Sequence, residues 1–123
     1  MLIGYARTST QDQKYSLEAQ IEELKAAGCE RLYQEEVSSV DSKREELENA
    51  LDYIREGDVL VVKKLDRLAR SVADTVKIQE RLEAKKAGLK TLDMDIDTTT
   101  PGGRLSFNLF ASIAQFEREV MLE

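Results

Sequence analysis

Val59-Leu60-Val61-Val62 is an unbroken run of aliphatic residues, within a predicted strand over Asp58–Lys63, and it decides the fold. A strand that is apolar at every position is typical of a parallel sheet that is covered on both faces. Other strand-like stretches lie before and after it, at Leu2–Ala6, Arg31–Gln34 and Leu89–Met94. Segments with helical spacing alternate with these strands. The alternation predicts an α/β fold with a mostly parallel central sheet of four to five strands flanked by helices.

Three helices are expected between the strands, each with a serine that starts it and a glycine that stops it. The predicted helices cover Leu17–Ala27, a second segment from Ser42 to Gly57, and a third from Ser71 to about Ala87. The predicted caps and stops are Ser16 with Gly28, the capping box of Ser42 and Glu45 with Gly57, and the capping box of Ser71 and Asp74 with Gly88. Asp95–Gly103, which holds the only proline, Pro101, is expected to be a loop.

The last stretch, Arg104–Glu123, is predicted to form a long helix of a different kind. Its apolar residues follow helical spacing and spread beyond one face, so the helix needs two packing partners. It is either buried in its own domain or, as we favour, shared between subunits. Because the chain stops inside this helix, we expect a single domain with an α/β core over about residues 1–100 and the truncated start of a long interface helix over about residues 103–123. The expected interface residues are Leu105, Leu109, Phe110, Ile113, Phe116 and Val120.

Composition excludes several classes of function. The 123 residues contain no histidine and one cysteine, Cys29, so Ser-His-Asp and Cys-His catalysis are excluded and a zinc site is not expected. The net charge of −6 opposes DNA binding by this chain alone, because phosphate contacts supply most non-specific affinity. Without a membrane span or a signal peptide, a cytoplasmic protein is expected. Asp93, Asp95 and Asp97 alternate and invite a Mg²⁺ site, but a solvated edge is the favoured interpretation.

Two polar stretches follow predicted strands, at the end where α/β proteins bind ligands. In Arg7-Thr8-Ser9, a hydroxyl lies two residues from an arginine, and Lys63–Arg70 holds two lysines, an aspartate and two arginines. The plain alternatives are a strand exit for the first stretch and a solvated rim for the second. Together they favour a phosphate site, because the fork of arginine matches phosphate oxygens and a serine can attack a phosphodiester. The sequence has no G-x-x-x-x-G-K-[ST] loop, so nucleotide hydrolysis is not expected.

Three motifs together resemble the catalytic domain of the serine site-specific recombinases, the resolvase/invertase family. They are Tyr5-Ala6-Arg7-Thr8-Ser9-Thr10-Gln11-Asp12-Gln13, Leu65-Asp66-Arg67-Leu68-Ala69-Arg70 and Ala114-Gln115-Phe116-Glu117-Arg118-Glu119. The resemblance covers essentially the whole chain. It implies an enzyme that recombines double-stranded DNA without a metal or cofactor and works as dimers that join into a tetramer. It also implies a further DNA-binding domain, which this chain lacks.

The resemblance also implies roles for individual residues. Ser9 is expected to be the nucleophile that becomes joined to a 5′-phosphate and releases a 3′-hydroxyl. Asp66 is expected to orient the site and to assist proton transfer to the leaving oxygen. The expected phosphate contacts are Arg7, Arg67, Arg70 and Arg44, with polar support from Gln13, Gln20, Lys63 and Lys64. Arg118 and Glu123 are expected to take part in assembly of the tetramer.

One departure from the family pattern keeps rival functions open. Family members often carry a lysine at the position of Tyr53, so one phosphate-steering or proton-donating role is unassigned. A degenerate site would make the chain a non-enzymatic assembly module that dimerises through its last helix. A different α/β phosphate-ester hydrolase or signalling domain is the third alternative, but the sequence offers no acid–base or metal set for it.

Overall fold

A parallel β-sheet with helices on both faces forms the molecule. The computed structural model describes residues 1–9, 14–37, 45–64, 68, 72–93 and 96–122. Within these ranges the strands are β1 (Leu2–Ser9), β2 (Arg31–Val37), β3 (Val59–Val62) and β4 (Gly88–Thr91). The helices are α1 (Lys14–Ala26), α2 (Glu45–Tyr53), α3 (Val72–Ala84) and α4 (Pro101–Leu122). The strands lie in the order β2-β1-β3-β4 and every pair is parallel, which confirms the predicted fold class.

Both faces of the sheet are buried, as the apolar run in β3 predicts. Leu60 and Val62 belong to a core that β1 and β2 share with α2, α3 and α4. Val61, between them, belongs to a second core that α1 covers with Leu24. All four side chains are fully buried. Because successive side chains of a strand point to opposite faces, a strand sandwiched in this way must be apolar throughout.

Two element boundaries differ from prediction near the amino terminus. Helix α1 begins at Lys14, so Ser16 lies inside the helix and does not cap it. The apolar spacing marks only where the packed face begins, and good helix formers such as lysine extend a helix beyond that face. Strand β2 continues past Gln34 to Val37, because it pairs with β1 as far as Ser9. Ser42 and Ser71, the other two predicted caps, lie outside the described residues.

The predicted stop of α3 at Gly88 is wrong. The helix ends at Ala84, and Lys86 takes the left-handed conformation that was expected of the glycine, with φ of 59°. Gly88 instead opens β4, where a Cβ atom would lie 2.5 Å from Cγ2 of Thr99. The glycine is therefore required there by the close approach of a neighbouring segment.

Helix α4 begins two residues earlier than the predicted start at about residue 103, and Pro101 is its first residue instead of part of a loop. Proline suits this position because its fixed φ is helical and the missing N–H would have no partner in the helix. Thr100 caps the helix: its Oγ1 accepts a hydrogen bond from the amide of Gly103 at 2.9 Å. A Cβ atom on Gly103 would lie 1.7 Å from the carbonyl oxygen of Asp97, so the first turn packs directly on backbone.

Strand β4 is shorter than predicted, ending at Thr91 instead of Met94. The chain then turns back along the strand: the Thr91 amide donates to the Ile96 carbonyl at 2.8 Å, and the Thr98 amide donates to the Leu89 carbonyl at 2.9 Å. Oγ1 of Thr98 accepts a further hydrogen bond from the Leu89 amide at 2.8 Å. The segment before α4 thereby satisfies backbone groups along the outer edge of β4.

Two basic side chains of the α3 region fasten α2. Arg81 makes a bidentate contact with Glu48, with both N–O distances at 3.0 Å. Nζ of Lys85 donates to the carbonyl oxygens of Leu51 at 2.5 Å and of Ile54 at 3.3 Å. A positive charge at the carboxyl end of a helix also complements the helix dipole.

Candidate active site at the carboxyl ends of the strands

The segments that the sequence singles out all follow the carboxyl ends of neighbouring strands. Ser9 is the last residue of β1, and Arg7 lies two residues before it. Arg44 belongs to the connection from β2 to α2, and Asp66, Arg67 and Arg70 belong to the connection from β3 to α3. Because β1 lies between β2 and β3 in a parallel sheet, the three segments leave the sheet at the same edge.

The sheet opens at this edge between β1 and β3. Among the described residues, β1 pairs with β3 from Leu2 to Gly4, whereas it pairs with β2 as far as Ser9 and its partner Val37. Past Gly4, the backbone groups of β1 on the β3 side therefore need other partners.

Gln20 of α1 supplies those partners for Arg7. Its Oε1 accepts a hydrogen bond from the Arg7 amide at 3.3 Å, and its Nε2 donates to the Arg7 carbonyl at 3.0 Å. The side chain is 5% exposed. Gln20 thus replaces a neighbouring strand and holds the backbone of β1 two residues before Ser9. Gln20 was predicted to give polar support to the site. In the contacts that the structure describes, it supports the backbone of Arg7.

Arg7 lies beside an acidic residue that sequence reasoning missed. Its partner in the register of β1 and β2 is Glu35. Oε2 of Glu35 accepts hydrogen bonds from the hydroxyl of Tyr5 at 2.5 Å and from the Leu47 amide at 3.2 Å. Tyr5 is fully buried in the core, and its hydroxyl also holds this carboxylate. The sequence does contain a signal for this residue, because Glu35 lies two positions after Tyr33 and so on the same face of β2. It was missed because the predicted strand ended at Gln34.

Leu68 is the one residue between Lys64 and Val72 that the structure describes. This side chain is fully buried in the larger core, between Arg67 and Ala69 in the sequence. Lys63 forms an ion pair with Glu23 of α1, whereas Lys64 is exposed.

Several predicted site residues lie outside what the structure describes. For Ser9 and Arg118 the backbone is described but the side chain is not. Their contacts, and the predicted roles that depend on them, stay predictions. The predicted site residues that lie wholly outside the described ranges are Gln13, Arg44, Asp66, Arg67, Arg70 and Glu123.

Tyr53, the departure from the family pattern, lies far from this edge. The guanidinium carbon of Arg31 is 4.1 Å from the centre of the Tyr53 ring, and Nε of Arg31 donates to the Tyr33 hydroxyl at 2.7 Å. Arg31 is the first residue of β2, whereas the partner of Ser9 is the last. At about 3.3 Å per residue, these ends of the strand are roughly 20 Å apart. The tyrosine therefore does not mark a missing group at the carboxyl edge.

Cys29 is a poor candidate for a nucleophile. Burial raises the pKa of its thiol to about 11, although nearby Lys90 acts in the opposite direction. At neutral pH the group is a thiol, whereas the thiolate is the reactive form.

The described acids do not form a metal site. Among the described residues, no group of three or more histidine, cysteine, aspartate or glutamate side chains is arranged to hold a metal ion. Oδ1 of Asp97 instead accepts hydrogen bonds from the amide of Thr99 at 2.9 Å and from its hydroxyl at 2.5 Å. Asp97 shapes the turn before α4, and Asp95 lies outside the described residues.

Helix α4 presents an apolar stripe to solvent. Five large side chains on it are between 52% and 64% exposed, and these are Leu105, Leu109, Ile113, Phe116 and Val120. Phe110, which was grouped with them, packs against the chain's own core beside buried Phe107, because it lies on the inward side of the helix. None of the described helices has the length and apolar character needed to span a membrane.

Comparison with known proteins places this chain in a family. The family described as the resolvase N-terminal domain matches residues 2–123. A probable DNA-invertase of Sinorhizobium fredii is 45% identical over 122 residues, which are 99% of this chain and 39% of the relative. The Tn917 resolvase of Enterococcus faecalis is 38% identical over 123 residues, which are 100% of this chain and 66% of the relative. The chain thus spans less than two thirds of either relative.

A solved structure shows the same fold. The N-terminal catalytic domain of TP901-1 integrase matches with a TM-score of 0.75 and 27% identity, and the match covers 97% of both chains. The match of the family to nearly every residue, the curated relatives and this structure agree. The chain belongs to the resolvase N-terminal domain family.

Proposed function

We propose that this chain is the catalytic domain of a DNA recombinase that cuts and rejoins strands through a serine–phosphate link. Its substrate is double-stranded DNA, which the whole protein holds mainly through a further module. The names of the relatives, a DNA-invertase and a transposon resolvase, support this assignment. The net charge of −6 also fits a domain that relies on another part of the protein to hold DNA.

In the proposed reaction, Oγ of Ser9 attacks a backbone phosphorus. The bond from Oγ to phosphorus forms and the bond from phosphorus to the 3′ oxygen breaks, while the serine loses its proton and the 3′ oxygen gains one. A 3′-hydroxyl then attacks the phosphoserine and reverses these steps on a new strand. One phosphate ester is exchanged for another, so no nucleotide is consumed. Asp66 orients the site and assists the proton transfer.

The observation that carries the proposal is the anchoring of the end of β1. Arg7 is held by Gln20 on one side and by pairing with β2 on the other, two residues before Ser9. A nucleophile on a fixed strand meets the demand for precise approach that dominates such a reaction. Arg7, Arg44, Arg67 and Arg70 are proposed to surround the phosphate and to stabilise the charge of its transition state.

Assembly is proposed to use the apolar stripe of α4. Five exposed large apolar side chains on one helix are unusual for a surface that stays in water. A second copy of the chain is the proposed partner, with dimers joining into a tetramer to which Arg118 and Glu123 contribute. In sedimentation experiments, Ile113→Asp should abolish association, whereas Asn108→Asp, at an exposed polar position of α4, should not. Equal association of both variants would contradict the use of this stripe.

The decisive experiment looks for the covalent link. Residues 1–123 are joined to the final third of the Tn917 resolvase, and the chimaera is given that resolvase's recombination site with a nick that traps cleaved product. We expect a protein–DNA adduct that is lost with Ser9→Ala and kept with Ser16→Ala, a serine inside α1.

The other outcomes separate the alternatives. An adduct that survives Ser9→Ala would show that the nucleophile is wrongly assigned. An oligomer that binds the site but forms no adduct would favour the non-enzymatic assembly module.

A further inference from the structure

Helix α1 lies over the gap that opens between β1 and β3 at the carboxyl edge of the sheet. Its Leu24 is fully buried and shares a core with Ala6 of β1 and Val61 of β3. The packing is close, since a Cβ atom on Gly4 would lie 3.3 Å from Cδ1 of Leu24. Among the described residues, β1 pairs with β3 no further than Gly4. Past that point, an element that contacts both strands can set the distance between them.

Two polar side chains of α1 hold the two sides of this gap. Gln20 bonds to the amide and the carbonyl of Arg7 on β1, at 3.3 Å and 3.0 Å. Glu23, one turn later, forms an ion pair with Lys63, the residue that follows β3. Residues three apart in a helix are neighbours on its surface. The same side of α1 therefore reaches both strands.

The backbone of Lys63 is fixed by the chain that follows β4. Its carbonyl accepts a hydrogen bond from the Asp93 amide at 3.1 Å. Lys63 is thus a fixed point from which its side chain reaches Glu23. A continuous series of contacts runs from this point through α1 to the backbone of Arg7, two residues before Ser9.

We infer that Glu23 is a positioning residue for the cleavage reaction: through Lys63 it fixes α1 across the gap, and α1 holds the backbone beside the nucleophile. The inference rests on the proposed function. It gives Lys63 a different part from the polar support of the phosphate that the resemblance implies, because a carboxylate engages its side chain. The two side chains are 30% and 44% exposed, so the effect on the rate should be moderate.

Exchange of the two charges separates the two parts that Lys63 could play. A tie between α1 and β3 works with the charges in either order, whereas a phosphate contact requires the positive charge at position 63. The variants are Glu23→Lys, Lys63→Glu and the double variant that carries both changes. Glu22→Lys is the matched control, because it makes the same change of charge at the preceding, exposed position of α1.

The test measures single-turnover adduct formation at saturating DNA in the chimaera described above. Each single reversal should slow the adduct by roughly tenfold, because two like charges replace an attraction that is itself worth up to about fivefold. The double variant should return to within about threefold of the parent. Glu22→Lys should leave the rate unchanged. DNA affinity and circular dichroism are measured for each variant at the assay temperature.

A second measurement needs no reaction. In residues 1–123 alone, exchange of the Arg7 amide should become faster in Glu23→Lys and in Lys63→Glu, because its contact with Gln20 depends on where α1 lies. The double variant should restore the slow exchange.

Slow single variants that are folded and bind DNA, together with a fast double variant, support the inference. A double variant as slow as Lys63→Glu would overturn it, since the positive charge at position 63 would then act on the DNA itself. Unchanged rates in both single variants would overturn it as well.

Glu23→Gln keeps the inference testable if a reversal fails to fold. It removes the ion pair without adding repulsion, so the adduct should form up to about fivefold more slowly and the Arg7 amide should exchange faster. An unchanged or faster adduct would overturn the inference, because Lys63 would then be more useful when released. Lack of adduct in the parent would instead refute the proposed function, whereas Arg7 exchange would still show whether Glu23 fixes α1.

Discussion

Gln20→Leu should destabilise the protein much more than the same change at Gln79. Both side chains are buried, at 5% and 6% exposure. Gln20 satisfies the amide and the carbonyl of Arg7. Within the described part of the chain, Oε1 of Gln79 has no hydrogen-bond partner, and its Nε2 donates to Glu83 at 3.3 Å. Comparing the two leucine variants therefore separates the stability contributed by a hydrogen-bonded amide side chain from that contributed by burial alone.

The expected magnitude follows from the groups left unpaired. A buried donor or acceptor without a partner costs about 1–3 kcal/mol. Because Arg7 is half-buried, we take the lower part of that range for its two backbone groups, or roughly 3 kcal/mol together. The leucine regains about 1 kcal/mol through its larger apolar surface, so Gln20→Leu should cost about 2 kcal/mol. Gln79→Leu removes an unpaired buried oxygen and should be neutral or stabilising by up to about 1 kcal/mol.

The assays are urea and thermal unfolding of residues 1–123 followed by circular dichroism, together with amide hydrogen exchange. For a domain of this size, the loss in Gln20→Leu should lower Tm by roughly 6–10 °C. Exchange of the Arg7 amide should also become faster, while that of amides in β3 should change only through the global stability. Equal losses for the two leucine variants, or an unchanged Arg7 amide, would refute the reasoning.

Four further predictions concern the rest of the fold. Gly103→Ala should lower Tm by several degrees, because its Cβ would overlap the Asp97 carbonyl, whereas Gly102→Ala, with open space around it, should raise Tm slightly; equal shifts would contradict this packing. Cys29 should react slowly with iodoacetamide at pH 7, and the rate should rise up to about pH 11. Because folding raises the pKa of Cys29, the stability that its thiol contributes is complete below the unfolded pKa near 9 and is lost as pH rises towards 11. This loss of stability at high pH should be absent in Cys29→Ala. Lys85→Met should lower the free energy of unfolding by about 1 kcal/mol, since carbonyls at the end of α2 lose their charged donor; no loss in urea unfolding would contradict this role.

The sheet was predictable because its signals are local. The unbroken apolar run Val59–Val62 is enough to predict a strand buried on both faces. The alternation of strands and helices leaves few possible topologies for the sheet. The start of α4 was missed for an equally local reason. Pro101 was interpreted as part of a loop, although proline at the first position of a helix is favourable when a residue such as Thr100 caps it.

The supports of the site were less predictable because they depend on distant segments. Gln20 bonds to Arg7 only because β1 runs on past the end of its pairing with β3, which no pattern in the sequence states. Glu35 caps α2 from the neighbouring strand, so the usual search for a cap just before the helix cannot find it. Resemblance to a family predicts which groups react, whereas the contacts that hold the surrounding backbone must be taken from the structure.

The proposed site combines one fixed part with parts that carry most of the charge. Arg7 and Ser9 lie on a strand whose backbone is held on both sides, whereas Arg44, Arg67 and Arg70 belong to connections between elements. Two like charges about 6 Å apart repel by roughly 3 kcal/mol at an effective dielectric constant of about 20. Glu35 beside Arg7 can offset part of such repulsion, and in the proposed site a DNA phosphate would offset more of it. In the proposed reaction, the strand sets where the nucleophile stands, and the phosphate supplies the negative charge that Arg44, Arg67 and Arg70 are expected to bind.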